Sequence, residues 1–119
     1  MFSHIRTSKE NKDVVTELTR KFSLGSENHI ARIALAYSIE NHTQLDIKDI
    51  KDSGGKEYSK TVLFGDFSNV YIGMICTLHG IDNNDKNISK YIKAHLDDGL
   101  LILSQKEIPL EDLFHSIIS

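Results

Sequence analysis

Cysteine is nearly absent from this chain. With Cys76 alone among 119 residues, no internal disulfide can close, and a thiol set in Tyr71-Ile72-Gly73-Met74-Ile75 packs as a small hydrophobe. A surplus of positive charge is lacking too: 14 basic side chains stand against 17 acidic ones, for a net charge of −3. That excludes a protein that coats nucleic acid with its whole surface, a mode that displaces counterions with many Lys and Arg, and leaves room only for a local contact. No apolar run approaches the roughly 18 residues that span a bilayer, and Met1–Asn11 lacks the apolar stretch of a secretory signal. The expectation is a cytoplasmic protein with no membrane partner.

Catalytic and metal-binding motifs are missing as well. Six histidines are present, but none sits in a nucleophile or acid-base motif. Gly54-Gly55-Lys56 falls short of a phosphate-cradling loop, because Ile50 stands where that motif needs glycine and Glu57 where it needs Ser or Thr. Cys76 and His79 have ligand-like spacing without a second pair. Asp82-Asn83-Asn84-Asp85 starts like a calcium loop, yet Asn87 and Lys93 replace its glycine and closing glutamate. No enzyme, no metal and no cofactor is the expectation.

What is present is an ordinary globular composition, 39% apolar and 26% charged, sized for one domain over 1–119. Val14, Val15, Leu18 and Phe22 recur at three- and four-residue spacing and predict a first amphipathic helix from Lys9. Gly25 can end it, and Ser26 can cap a second, from about Glu27 to Asn41. This one is apolar nearly all round, from Ile30 to Ile39, which predicts burial in a subunit interface. Residues 44–60 read as a polar loop with one helical turn near Ile47 and Ile50. Thr61-Val62-Leu63-Phe64 is a strand candidate. A third helix over 68–78 places Val70, Tyr71, Met74, Ile75 and Leu78 on one face. A fourth begins near Ile88 and stops at Gly99, followed by a short apolar segment at 100–103. Pro109 then opens a last helix in the tail, 105–119.

The fold expected is therefore mainly α. Its N-terminal part, residues 1–43, has the order of a ribbon-helix-helix unit: a short strand at 3–7, an amphipathic helix, a Gly-Ser turn and an apolar helix. A second helical half occupies 61–104. In such units two chains pair their strands and insert them in the major groove, so His4 and Arg6, on one strand face, are candidates for DNA contact. Lys9, Lys12 and Lys21 lie on the adjoining helix. The helix start at Ser26 to Asn28 offers amides to a phosphate oxygen, which adds Asn28. The bland alternative is that these cations are a solvated helix face, interleaved as they are with Glu10, Asp13 and Glu17. Charge is mildly uneven: six basic against five acidic residues over 1–43, and eight against twelve over 44–119.

His4-Ile5-Arg6-Thr7-Ser8, Asn28 to Ile39 (NHIARIALAYSI), Lys60 to Asp66 (KTVLFGD), Tyr71 with its helix, and Lys93-Ala94-His95-Leu96 through Gly99 together resemble the DndE family over roughly residues 3–104. The loop 44–59 and the tail lie outside the resemblance. It implies a small, mainly helical homo-oligomer, a tetramer, that associates with DNA, nicked duplex included. It also implies work beside sulfurtransferase-like and ATPase subunits that replace a phosphate oxygen by sulfur. Two other roles stay open: a scaffold for those partners with little DNA affinity, and an autoregulatory ribbon-helix-helix repressor.

Overall fold

A computed structural model describes residues 3–41 and 44–105. The expected tail helix from Pro109 lies outside them. Helix α1 (Lys9–Lys21) forms where its spacing predicts and turns Asn11, Val15 and Leu18 into the interior. Left-handed backbone at Ser23 (φ 53°) and Gly25 (φ 75°) reverses the chain. The Ser26 hydroxyl then accepts the Asn28 N–H at 3.2 Å and starts α2 (Glu27–Glu40), satisfying one of the amides a helix start leaves unpaired.

Helix α2 is the centre of the core. Ile30, Ala31, Ile33, Ala34, Leu35, Ala36, Ser38 and Ile39 are all buried, and one chain suffices to bury them. The apolar character of α2 therefore gives no support to a subunit interface. The covering comes from elements far away in sequence, above all α5 (Ile88–Gln105).

Gly99 lies inside α5 and does not end it. A Cβ there would collide with the carbonyl of Ala34, so this glycine lets the two backbones approach closely, and tertiary packing outweighs its cost of about 1 kcal/mol in a helix interior. The apolar segment at 100–103 is the second half of the same helix, with Leu100 and Leu103 fully buried.

Strand β1 (His4–Arg6) pairs antiparallel with β2 (Glu57–Ser59), in the register His4 to Ser59, Ile5 to Tyr58 and Arg6 to Glu57. The ribbon partner expected from a second chain is thus supplied from within, by the end of the segment read as loop. Ile5 and Tyr58 point inward, while His4 and Arg6 point outward. Gly55 packs flat on the chain at Thr7 and Ser8, where a Cβ would strike the Ser8 carbonyl and the Thr7 hydroxyl. Glycine is required there for packing, in keeping with a turn and not a phosphate loop.

Thr61 to Phe64 is helical, not extended. Helix α3 (Lys60–Phe64) starts because the Ser59 hydroxyl accepts the Val62 N–H at 3.2 Å, a local cap that overrides the strand preference of β-branched Thr61 and Val62. A 3₁₀ turn (Gly65–Phe67) joins it to α4 (Ser68–His79). The inward face of α4 is Ile72 and Ile75; the expected pair Val70 and Met74 faces out, 57% and 39% exposed, beside Phe67 at 64%. Taken together, Lys60–His79 is long and apolar enough by composition to cross a membrane, with a mean hydropathy of 1.3 and 22% of its window buried. The sequence reading missed this because Gly65-Asp66 and Ser68-Asn69 interrupt the run, and the chain turns there.

Candidate nucleic-acid interface

The outward face of α1 is built by helix periodicity. Lys9, Lys12, Thr16 and Arg20 follow one another at three- and four-residue steps and are all exposed, so they form one stripe on the side away from Val15 and Leu18. Glu10, Asp13 and Glu17 form a parallel exposed stripe beside it. Basic and acidic residues that alternate in sequence are therefore sorted into two rows in space. Arg20 belongs to the basic row and was not among the sequence-derived candidates, although its spacing from Lys12 would have found it. Lys21 stands apart, its ammonium 5.3 Å from the Phe22 ring centroid, where a cation meets the negative face of the ring.

The candidates on β1 are exposed but partly engaged. His4 Nδ1 lies 3.0 Å from the Ser3 hydroxyl, and Arg6 pairs with Glu57 at 3.4 Å across the two strands. Such a half-exposed pair contributes little to stability. Lys9 adjoins the strand through its backbone, which donates to Asp52 at 2.9 Å. The amides of Gly54 and Lys9 hold the Asp52 carboxyl below the usual aspartate range. Lys51 meets Glu10 at 3.3 Å.

Asn28 is exposed, yet the anion site proposed around it is already occupied. Its N–H is held by Ser26, and Glu27 stands in the same first turn. Glu27 receives the Lys56 ammonium at 2.7 Å and the Thr16 hydroxyl at 2.7 Å. Lys56 foremost keeps that carboxylate below its ordinary pKa. A carboxylate at a helix N-terminus satisfies the dipole that would otherwise attract a phosphate.

A buried charged network fixes this face to the core. Asp97 of α5 accepts the Ser8 N–H at 3.0 Å and the Asn11 side-chain amide at 2.8 Å through one oxygen, and the Lys93 ammonium at 3.0 Å through the other. Lys93 also donates to the Arg6 carbonyl at 2.8 Å. The two charged side chains are 9% and 8% exposed, so α5 grips the junction of β1 and α1 by a set of buried charge-assisted bonds. Lys93 is a structural cation, unavailable to DNA.

This framework, from strand β1 through the buried Lys93–Asp97 tie in α5, is matched over residues 4–108 by the model of one family, described as DNA sulphur modification protein DndE. The chain belongs to the DndE family. The match runs through residues 44–59, which the resemblance had left outside, and that agrees with their role as the second strand of the ribbon. Among curated proteins, none matches the chain. DndE membership assigns the protein to DNA sulfur modification.

On its other side α5 carries a second polar chain, this one without a cation. His79 and His95 face each other, Nε2 to Nε2, at 2.7 Å; His95 Nδ1 lies 2.8 Å from Ser38 Oγ, which donates to Asp98 Oδ2 at 2.8 Å. Ser38 is fully buried and its proton is committed to Asp98, so it is no exposed nucleophile. Among the described residues no three His, Cys, Asp or Glu converge on a metal position. Burial foremost, with the His79 charge second, drives the His95 pKa down to about 4; burial also lowers that of His79.

Proposed function

We propose that the chain is a non-catalytic, DNA-associating accessory subunit of a DNA phosphorothioation complex, holding duplex DNA, nicked duplex included, through its phosphates. The observation that carries this reading is the basic row Lys9, Lys12 and Arg20 on α1, continued on β1 by Arg6 and His4, in a chain of a DNA sulfur-modification family. Exposed Lys and Arg on a helix and strand edge suit phosphate contact, which positions a protein without reading bases. The sulfur chemistry falls to sulfurtransferase-like and ATPase partners, in the cytoplasm.

A second reading, a scaffold for those partners and for copies of itself, is favoured by one observation. Phe67, Val70 and Met74 are exposed together on the α3–α4 segment, beside a groove of about 580 Å³ lined by Ile39, Glu40, Val70, Gly73, Met74 and Leu78. Exposed apolar surface rimmed by polar groups marks protein contact. The two readings are compatible in one subunit, with DNA on α1 and assembly, expected to reach a tetramer, on α4.

Gel shifts on intact, nicked and single-stranded DNA at two salt concentrations test the leading reading. Binding of duplex at low salt, blind to sequence and lost at moderate salt, is expected. Absence of binding at low salt would leave the scaffold alone, and tight binding of one sequence would point to a repressor instead.

A further inference from the structure

The polarity of the hydrogen-bonded chain through α2, α4 and α5 follows from its one anionic end. Asp98 only accepts, so Ser38 donates to it; Ser38 then accepts from His95 Nδ1–H. That tautomer leaves a lone pair on His95 Nε2, which must accept from His79 Nε2–H across 2.7 Å. Only one hydrogen fits between the two nitrogens. A first added proton goes to the far nitrogen of His79 and leaves every bond intact. A second, on His95 Nε2, sets two N–H groups and two positive charges against each other.

We propose that the His79–His95 pair is a one-proton latch between α4 and α5, closed while at most one ring is charged and opened when both are. The groups around it are few. Tyr91 of α5 stacks on His79 with ring centroids 4.5 Å apart, Ser38 comes from α2, and Gln44 holds the neighbouring Leu78 carbonyl at 2.9 Å. Among these and Asp98, the aspartate carries the only charge, and it lies two hydrogen bonds beyond His95 and three from His79. No carboxylate among them therefore touches the His79–His95 contact to stabilise a doubly charged pair. His95 is fully buried, so water cannot solvate a charge on that ring.

The sign follows directly. The folded His95 binds its proton only near pH 4, while the unfolded chain binds it near the ordinary value of 6.5. Between these limits the unfolded state holds more protons, so the contribution of the latch is complete above 6.5 and is lost as pH falls toward 4. The two rings titrate as a pair, in two separated steps. Opening frees α4, the helix that carries the exposed Val70 and Met74.

Hydrogen exchange of α4 amides, corrected for intrinsic rates and compared with α1 amides in the same sample, tests this in the full chain. Protection of α4 is expected to fall about tenfold or more between pH 6.5 and 4, the consequence of at least one pKa unit of coupling. In His79→Gln the side-chain amide donates to neutral His95 and rotates to accept from charged His95, so α4 protection should fall clearly less than in the wild type over the same range, burial of His95 alone still opposing its charge. His79→Phe removes the tie altogether, and α4 should be less protected already at pH 7, with a smaller further acid step than in the wild type. An equal acid loss in wild type and His79→Gln, or level α4 protection in the wild type, would overturn the latch.

Discussion

Helices α1 and α4 rest on the same core and differ in both what holds them and what they show. Helix α1 is tied by ions, Lys93 and Asp97 with Asn11 and Ser8, and shows charge. Helix α4 is tied by a neutral relay through His79, His95 and Ser38, and shows apolar surface. The contrast teaches how one small chain offers two kinds of surface: the face proposed to meet a polyanion is anchored by bonds that do not depend on its own exposed cations. The face suited to protein contact is anchored by the histidine pair proposed to open in acid.

Breaking the ionic tie should have the largest effect. Asp97→Asn leaves a buried ammonium without its counter-ion, and removing one member of a buried pair costs about 3–5 kcal/mol. Against a total stability of about 5–15 kcal/mol, that is a large fraction, and denaturant midpoints will show it. Ser38→Ala, which orphans the Nδ1–H of His95 and takes a donor from the part-buried Asp98, should cost less, about 1–3 kcal/mol. If the serine change proves the costlier, the assignment of the two ties is reversed.

On the apolar side, Val70→Glu with Met74→Glu alters two exposed positions, so stability should move by no more than about 0.5 kcal/mol. The mass by light scattering should drop, because charge cannot be buried unpaired in a contact. An unchanged oligomer would remove α4 from assembly.

Much of this was legible in the sequence. The three- and four-residue spacing in α1 and the Ser26 cap are local, and they gave the first two helices within a residue or so. Gly99 was misread because a glycine signals an end by itself, whereas here its meaning lies in Ala34, 65 positions away in the sequence. The same distance hid the relay, since Ser38 and His95 meet across 57 positions. Strand β2 is only three residues long, too short to show alternation. The face of α4 was misjudged because Val70, Met74 and Ile75 look alike in composition, and only the positions of α2, α3 and α5 decide which are covered. Of the DNA candidates, His4, Arg6, Lys9 and Lys12 lie together on β1 and α1. Lys21 stands apart, and Asn28 sits at an occupied helix start.

The smallest expected change in stability and the most direct test of function fall on the α1 row. Lys9→Ala, Lys12→Ala and Arg20→Ala together alter exposed residues only, and affinity for nicked duplex is then followed from 50 to 200 mM salt. Each phosphate contact contributes roughly 0.9 to the slope of log K against log salt, so losing three should flatten that slope by about 2.7 and weaken low-salt binding. Affinity and slope both equal to those of the unmodified protein would contradict DNA contact at α1.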